Sequence, residues 1–200
     1  FLTDEDKADI YPNVLDVTRI GGDGKAYAWP LWVVPMGIYV NMDVLEQAGV
    51  EPPAKDWTWD DFVEVAKATT IARADGSQGY GFAGFIDPGV INTWGLFLNE
   101  GPTVRPFSED LTTFTMDTPE AAAALQRYAD LALVHKVTPP DFGALLDADV
   151  KGGFTNGTYA MVADATGFAP QLLANGVNFD IWPIPSYNGN QVTSHSRPSR

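Results

Sequence analysis

Few residues in this chain are spaced for chemistry. Asp147 and Asp149 in "DADVKGG" begin like a calcium loop, but Lys151 stands where a third oxygen ligand belongs, so a helix end is expected and no metal site is assigned. "GYGFAG", Gly79 to Gly84, matches the dinucleotide-binding spacing, which needs a strand before it and a helix N-terminus after it to hold a pyrophosphate. Here a turn precedes the motif and the motif itself reads as the strand, so no nucleotide role is assigned. Asp60 and Asp61 are adjacent acids, yet neighbours on a helix point apart, and their expected task is to favour the helix dipole. The histidines are His135 and His195, there is no G-x-S-x-G elbow, and Ser194-His195-Ser196 brings no acid or oxyanion donors with it. The two carboxylates of a glycosidase need no local signature, so a secreted glycoside hydrolase stays open. There remain the aromatics Trp29, Trp32, Trp57, Trp59, Trp94, Trp182, Phe168 and Tyr187, which suit core or hinge packing. Several lie at strand-to-helix junctions, where layered α/β folds place ligands.

The elements that must position these residues alternate. Thr3 is placed to cap a short helix with Asp4 and Glu5 in its first turn. Gly21 to Trp29 reads as a Gly-rich turn and a short strand, and Leu31 to Val40 as a buried strand rich in β-branched and aromatic residues. Asn41 should cap a helix closed by Gly49, and Thr58 one with Phe62, Val65, Ala66 and Thr69 facing inward. A strand is expected at Gly79 to Phe85, an apolar helix from Val90 to Gly101, and a short extended piece at Thr113 to Asp117. Thr118-Pro119-Glu120 then starts a helix running to about His135. After it come a short helix from Asp147, an Asn156-Gly157 turn, a strand at Thr158 to Ala163, a helix within Phe168 to Gly176 and a strand within Asn178 to Gly189. Strands alternating with helices imply an α/β layered fold.

Two hundred residues at 45% hydrophobic suffice for a globular core. Cysteine is absent, which removes disulfides, thiol nucleophiles and cysteine zinc sites, and leaves the redox compartment open. A formal charge of -14 repels phosphate backbones and anionic headgroups, so nucleic acid and membrane surfaces are poor partners. No run approaches the roughly 20 apolar residues that span a bilayer. The start at Phe1 and the end at "SHSRPSR" suggest a piece of a longer chain, with any export signal lying upstream.

"DGKAYAWPLWVVPMGIYVNMDVLEQAGVEPPAKDWTWDDFVEVAKATT" closely resembles the family 1 extracellular solute-binding proteins of ABC importers, the maltose-binding-protein-like group. The pattern is Gly24-Lys25, a strand ending at Pro30, a second ending at Tyr39 and Asn41, a helix closed by Ala48-Gly49, a Pro-Pro segment, then Trp57-Thr58-Trp59-Asp60-Asp61. "FTNGTYAMVADATGFAPQLLANGVNFDIWPIPSYNGNQVTS" is similar to the family's second signature, an Asn-Gly turn and Ala160-Met161 strand leading to a pocket loop, a helix, and a strand ending in Pro-x-Pro. The likeness runs along essentially the whole chain, in order.

The resemblance implies an α/β, type II periplasmic-binding-protein-like fold of two lobes joined by hinge strands, with one lobe nearly complete. Residues 1–35 would be part of lobe 1 with a hinge crossing, 36–181 lobe 2, and 182–200 the return hinge and another part of lobe 1. Pro30 and Pro35 would stiffen one crossing and Pro183 and Pro185 the other, with Leu31 to Val40 and Phe179 to Pro185 side by side. It also implies a non-enzymatic substrate-binding component that captures a mono- or oligosaccharide in an interlobe cleft and delivers it to ABC permease subunits. Such a protein is expected to be a periplasmic or extracellular monomer, open to lipid anchoring through residues upstream, and to use no cofactor. Sugars present apolar faces and hydroxyl rims, so Trp32, Trp94 and Phe168 are expected as faces, Asp164 as a hydroxyl acceptor, and Met36, Asn92, Thr166, His195 and Arg197 as further ligand contacts. Two departures stand out. Trp32 and Val34 replace the polar residues often found beyond the proline matching Pro30, and Ala165-Thr166-Gly167 replaces Gly-Pro-Trp in the pocket loop. Arg197 and Arg200 keep an anionic ligand, a glycerol phosphate or acidic sugar, as an alternative.

Overall fold

The computed structural model describes residues 3–16, 18–19, 23–28, 35–84, 108 and 112–191. Its centre is β1 (Met36–Asn41), buried at every position. A run with apolar residues on both faces belongs in the middle of a sheet, where helices cover both sides. Among the described residues, β2 (Tyr80–Ala83), β3 (Tyr159–Ala165) and β4 (Phe179–Trp182) join β1 in a four-stranded sheet in the order β2-β3-β1-β4. β1 is antiparallel to both neighbours, with Ile38 opposite Ala163 on one side and Trp182 on the other. β2 is parallel to β3, Phe82 opposite Met161.

Side chains alternate across the sheet and divide the core in two. Ile38, Val40, Phe82, Met161 and Trp182 meet Phe62, Val63 and Ala66 of α4 (Trp59–Ala68) and Tyr128 and Leu131 of α5 (Pro119–Leu133). On the opposite face Tyr39 and Val162 meet Val150 and Phe154 of α6 (Asp147–Thr155), together with Phe168 and, from α7 (Ala169–Ala174), Leu172. The arrangement is helix, sheet, helix, as the alternation of elements implied.

Helix starts follow the local sequence. Thr3, Asn41, Thr58 and Thr118 each accept a backbone N–H with their side-chain oxygen, opening α1 (Asp4–Ala8), α3 (Met42–Ala48), α4 and α5. A short α2 (Pro12–Asp16) follows α1. Gly49 closes α3 at φ 67°, a left-handed position that suits glycine. Gly81 serves a different purpose: a Cβ there would fall on the Ala66 carbonyl, so its absence lets α4 lie against β2. The GxGxxG match is therefore occupied by strand β2, fitted at Gly81 to a helix.

Two local expectations change. Lys25 to Ala28 form no strand, because the Lys25 N–H is taken by the Asp23 carboxylate and the Tyr27 N–H by the Thr18 carbonyl. The buried strand begins at Met36, while Leu31 to Val34 lie outside the described residues, as does the expected helix from Val90 to Gly101. The short helix from Asp147 runs to Thr155, directly before the Asn156-Gly157 turn, as expected.

A second set of contacts ties the Pro52-Pro53 connection to the end of β4. The Trp57 indole donates to the Pro183 carbonyl at 2.8 Å, and the Trp182 indole donates to the Pro53 carbonyl at 3.0 Å. The Ser186 N–H donates to the Trp57 carbonyl and the Trp59 N–H to the Ser186 carbonyl. Lys55 lies over the Trp182 ring, 2.6 Å from the Asp180 carboxylate and 2.9 Å from the Ile181 carbonyl.

Candidate functional site

The last residues of β3 lie beside the first residues of β1, Met36 opposite Ala165 and Gly37 opposite Asp164. The chain then makes a single 3-10 turn, Thr166–Phe168, and enters α7 with Pro170 in its first turn. The turn is held from three directions. The Thr166 N–H donates to the Pro35 carbonyl at 3.1 Å, Tyr39 Oη donates to the Ala165 carbonyl at 2.9 Å, and the Ala165 N–H donates to Asp164 Oδ1 at 2.6 Å. Between these anchors Thr166 and Gly167 are exposed. The result is a loop with a fixed backbone, one free hydroxyl-bearing side chain and an uncovered glycine, which can offer hydrogen bonds without a large ordering cost.

Four of the nine expected ligand residues, Met36, Asp164, Thr166 and Phe168, come together at this end of the sheet. Trp32, Asn92, Trp94, His195 and Arg197 lie outside the described residues. Within the group of four the roles differ. Met36 is 6% exposed and Phe168 3%, and the Phe168 ring is packed 5.3 Å from Tyr39 and 5.9 Å from Phe154, centroid to centroid. Phe168 is thus a core ring that roots the turn. Asp164 is also buried, at 6% exposure, and its Oδ1 serves the loop backbone.

Two neighbours of Asp164 were not among the expected residues. Lys151 Nζ stands 3.4 Å from Asp164 Oδ2 and 2.9 Å from Asp147 Oδ1, with the Phe168 ring centroid at 5.6 Å. Tyr39 supplies the hydroxyl that holds the Ala165 carbonyl. Burial pushes the Asp164 carboxyl above the ordinary carboxylate range, against the pull of the Ala165 amide and of Lys151. Burial opposes the charge on Lys151, but the hydrogen bond to Asp147 and the charges of Asp164 and Asp147 prevail and raise it. Tyr39 is pushed up to about 12 by burial and by the Asp164 charge. A signal for Lys151 was present in the sequence: an acid inside the apolar run "YAMVADA" needs a counter-charge, and Asp147 and Lys151 are spaced to share a helix face.

A shallow depression of about 250 Å³ lies elsewhere, lined by Thr58, Trp59, Asp60 and Ser186 to Gly189, and shares no residue with the β3 exit loop. Its polar rim is largely engaged: Thr58 and Asp61 cap each other, and Trp59 donates to Ser186. Among the described residues no group of acids and histidines could hold a metal ion, and no helix is long and apolar enough to cross a membrane.

The central antiparallel pairing of β1, the parallel β2–β3 pair and the helices on both faces define an α/β fold of the kind found in solved solute-binding proteins. The family model described as bacterial extracellular solute-binding protein matches residues 2–195, and the chain belongs to that family. Among solved structures, it is similar to an ABC transporter solute-binding protein from Thermotoga lettingae bound with α-D-tagatose, at 20% identity and TM-score 0.74, covering 96% of this chain and 50% of that one. It is also similar to maltose-bound T. maritima MalE3, at 24% identity and TM-score 0.69, covering 90% of this chain and 45% of that one. A third is an ABC substrate-binding protein from Listeria monocytogenes in complex with cycloalternan, at 25% identity and TM-score 0.69, covering 96% of this chain and 50% of that one. The chain spans about half the length of these solved proteins.

Proposed function

We infer that the chain is part of the substrate-binding component of an ABC importer and takes a carbohydrate into a cleft between two lobes. The observation that carries this reading is the β3 exit loop, a braced turn presenting Thr166 and Gly167 next to the start of β1. The similar structures support a sugar as ligand, since their bound molecules are maltose, tagatose and cycloalternan. In this reading residues 36–181 are lobe 2, residues 1–35 and 182–200 belong to lobe 1 and its crossings, and the paired run of β1 with β4 is where both crossings leave the lobe. Trp32 and Trp94 offer faces to the sugar, Asn92, His195 and Arg197 add polar contacts, and Thr166 contributes its hydroxyl. Asp164, Met36 and Phe168 act from behind, holding the loop. The protein works in the periplasm or outside the cell, as a monomer, and hands its ligand on to permease subunits without chemical change.

The test is calorimetry on the full-length protein with maltose, maltotriose, tagatose, mannitol and cycloalternan. Saturable binding of at least one is expected, and Thr166→Ala weakens it by about 2- to 10-fold, the loss of one neutral hydrogen bond. Steady release of cleaved glycan by the wild type, or no binding across the panel, would overturn the reading.

A further inference from the structure

Asp164 is the one acid in a strand otherwise made of Tyr, Ala, Met and Val, and burying a carboxylate there is costly unless something compensates it. Its two oxygens are treated differently. Oδ1 accepts the Ala165 N–H at 2.6 Å, a short bond of the charge-assisted kind. Oδ2 receives no hydrogen bond among the described residues and faces the Lys151 ammonium at 3.4 Å. That ammonium is itself gripped from outside by Asp147, at 2.9 Å from Oδ1 and 3.0 Å from Oδ2.

The three charges thus run inward as minus, plus, minus. The Asp147 side chain is 53% exposed, Lys151 26% and Asp164 8%. Asp147 and Lys151 are four residues apart on α6, the spacing that places an acid N-terminal to a base on one helix face. The Lys151 ammonium also lies near the Phe168 ring, so one side chain touches both the acid before the turn and the ring that ends it.

We propose that Lys151 is a positioning residue for the β3 exit loop, holding Asp164 as a charged acceptor for the Ala165 amide so that Thr166 and Gly167 keep the conformation in which they meet ligand. The bracing of the loop stands on geometry alone, and only the last clause rests on the solute-binding reading. Among the described residues, besides Lys151 and Asp147 on α6, the titratable group facing Asp164 is Tyr39 on β1, whose hydroxyl holds the other side of Ala165. Without the ammonium, burial and the Asp147 charge act on Asp164 in the same direction, and the carboxyl takes a proton at higher pH. A neutral carboxyl is a weaker acceptor, and the Ala165 amide loosens.

The experiment follows the Ala165 and Thr166 amides by nuclear magnetic resonance in the full-length wild type, Lys151→Met, Lys151→Arg and the double variant Lys151→Met with Asp164→Asn. In Lys151→Met, exchange of the Ala165 amide rises about tenfold or more, as expected when a hydrogen bond to a charged group weakens. Its pH titration midpoint also moves up. Lys151→Arg stays near wild type. In the double variant the side chain introduced by Asp164→Asn is an uncharged acceptor that cannot titrate, so the pH dependence disappears and the Ala165 amide stays loosened at every pH. Unchanged exchange in Lys151→Met, or a double variant as well protected as the wild type, would overturn the bracing role. Calorimetry with maltotriose on the same proteins decides the ligand clause: affinity should fall in Lys151→Met and in the double variant alike, and an unaltered affinity despite a loosened loop would overturn it. If the wild type binds no sugar of the panel, the solute-binding reading falls, while the amide data still decide the bracing.

Discussion

Trp57 and Trp182 each donate an indole N–H across to the other's segment, and this reciprocity makes a quantitative test. Trp57 is 2% exposed, sits edge-on to Phe62 at 5.6 Å and bonds the Pro183 carbonyl at 2.8 Å. Trp57→Phe removes the donor and leaves the Pro183 carbonyl without this partner, which costs about 1–3 kcal/mol. The smaller ring also gives up buried volume, adding about 1–2 kcal/mol at roughly 0.8 kcal/mol for each buried carbon group. The expected loss is about 2–5 kcal/mol, or a fall in Tm of about 5–15 °C for a chain of this size. Trp182→Phe, which strips the bond to Pro53, should behave alike. Because both bonds close the same pair of segments, and the Ser186 amide and carbonyl bond between them, losing one already frees what the other held. The double variant should therefore cost less than the sum of the two by more than about 0.5 kcal/mol, the limit for independent sites. Urea unfolding followed by tryptophan fluorescence and by circular dichroism measures all three. Single losses under about 1 kcal/mol, or additivity within about 0.5 kcal/mol, would refute the reasoning that these residues lock one joint.

Thr58→Ala removes the α4 capping box and should destabilise by about 0.5–2 kcal/mol at neutral pH. The Thr58 amide and hydroxyl hold the Asp61 carboxyl below its ordinary range, so this stabilisation is present above that range and fades as pH falls through it, and urea titrations should show the variant's deficit shrinking in acid. Gly81→Ala drives a methyl onto the Ala66 carbonyl, a backbone atom that cannot swing away, and should cost about 1–3 kcal/mol or more. Gly143→Ala, with open space around it, should stay within about 0.5 kcal/mol, and equal Tm values for the two would contradict the close approach of α4 to β2. For Asp164 the sign is opposite to Asp61: its raised value means that the folded state favours the neutral acid, an advantage present below the ordinary carboxylate range and lost as pH rises through the folded value. Asp164→Asn should therefore gain Tm relative to the wild type across that interval and level off above it, whereas a difference independent of pH would show that the carboxyl does not titrate against burial.

Helix boundaries were largely legible from the sequence, for a simple reason. A cap is a contact between residues three apart, so Thr3, Asn41, Thr58 and Thr118 carry the instruction within one turn of chain, and Gly49 ends α3 through its own backbone freedom. The burial of β1 on both faces was likewise readable, since an unbroken apolar run has no side for water. The short strand expected before Pro30 was misread because the pattern of Lys25 to Ala28 says nothing of the Asp23 carboxylate and the Thr18 carbonyl, which take the amides a ladder would need. Family resemblance pointed to Asp164, Thr166 and Phe168, but residue types alone could not separate an exposed contact from a buried support.

That separation belongs to tertiary structure. Phe168 is a ring by sequence and a core ring only because Tyr39 and Phe154, far away along the chain, close over it. Asp164 becomes a loop brace because β3 passes beneath α6, where Lys151 and Asp147 hang from the helix above. The order β2-β3-β1-β4 and the exchange of indole bonds between Trp57 and Trp182 have the same character. Local hydrogen bonds are decided by neighbours a few residues apart and can be read along the chain. Burial and long-range charge pairing depend on which surfaces meet in space, and that is settled when the sheet and its two helical layers assemble.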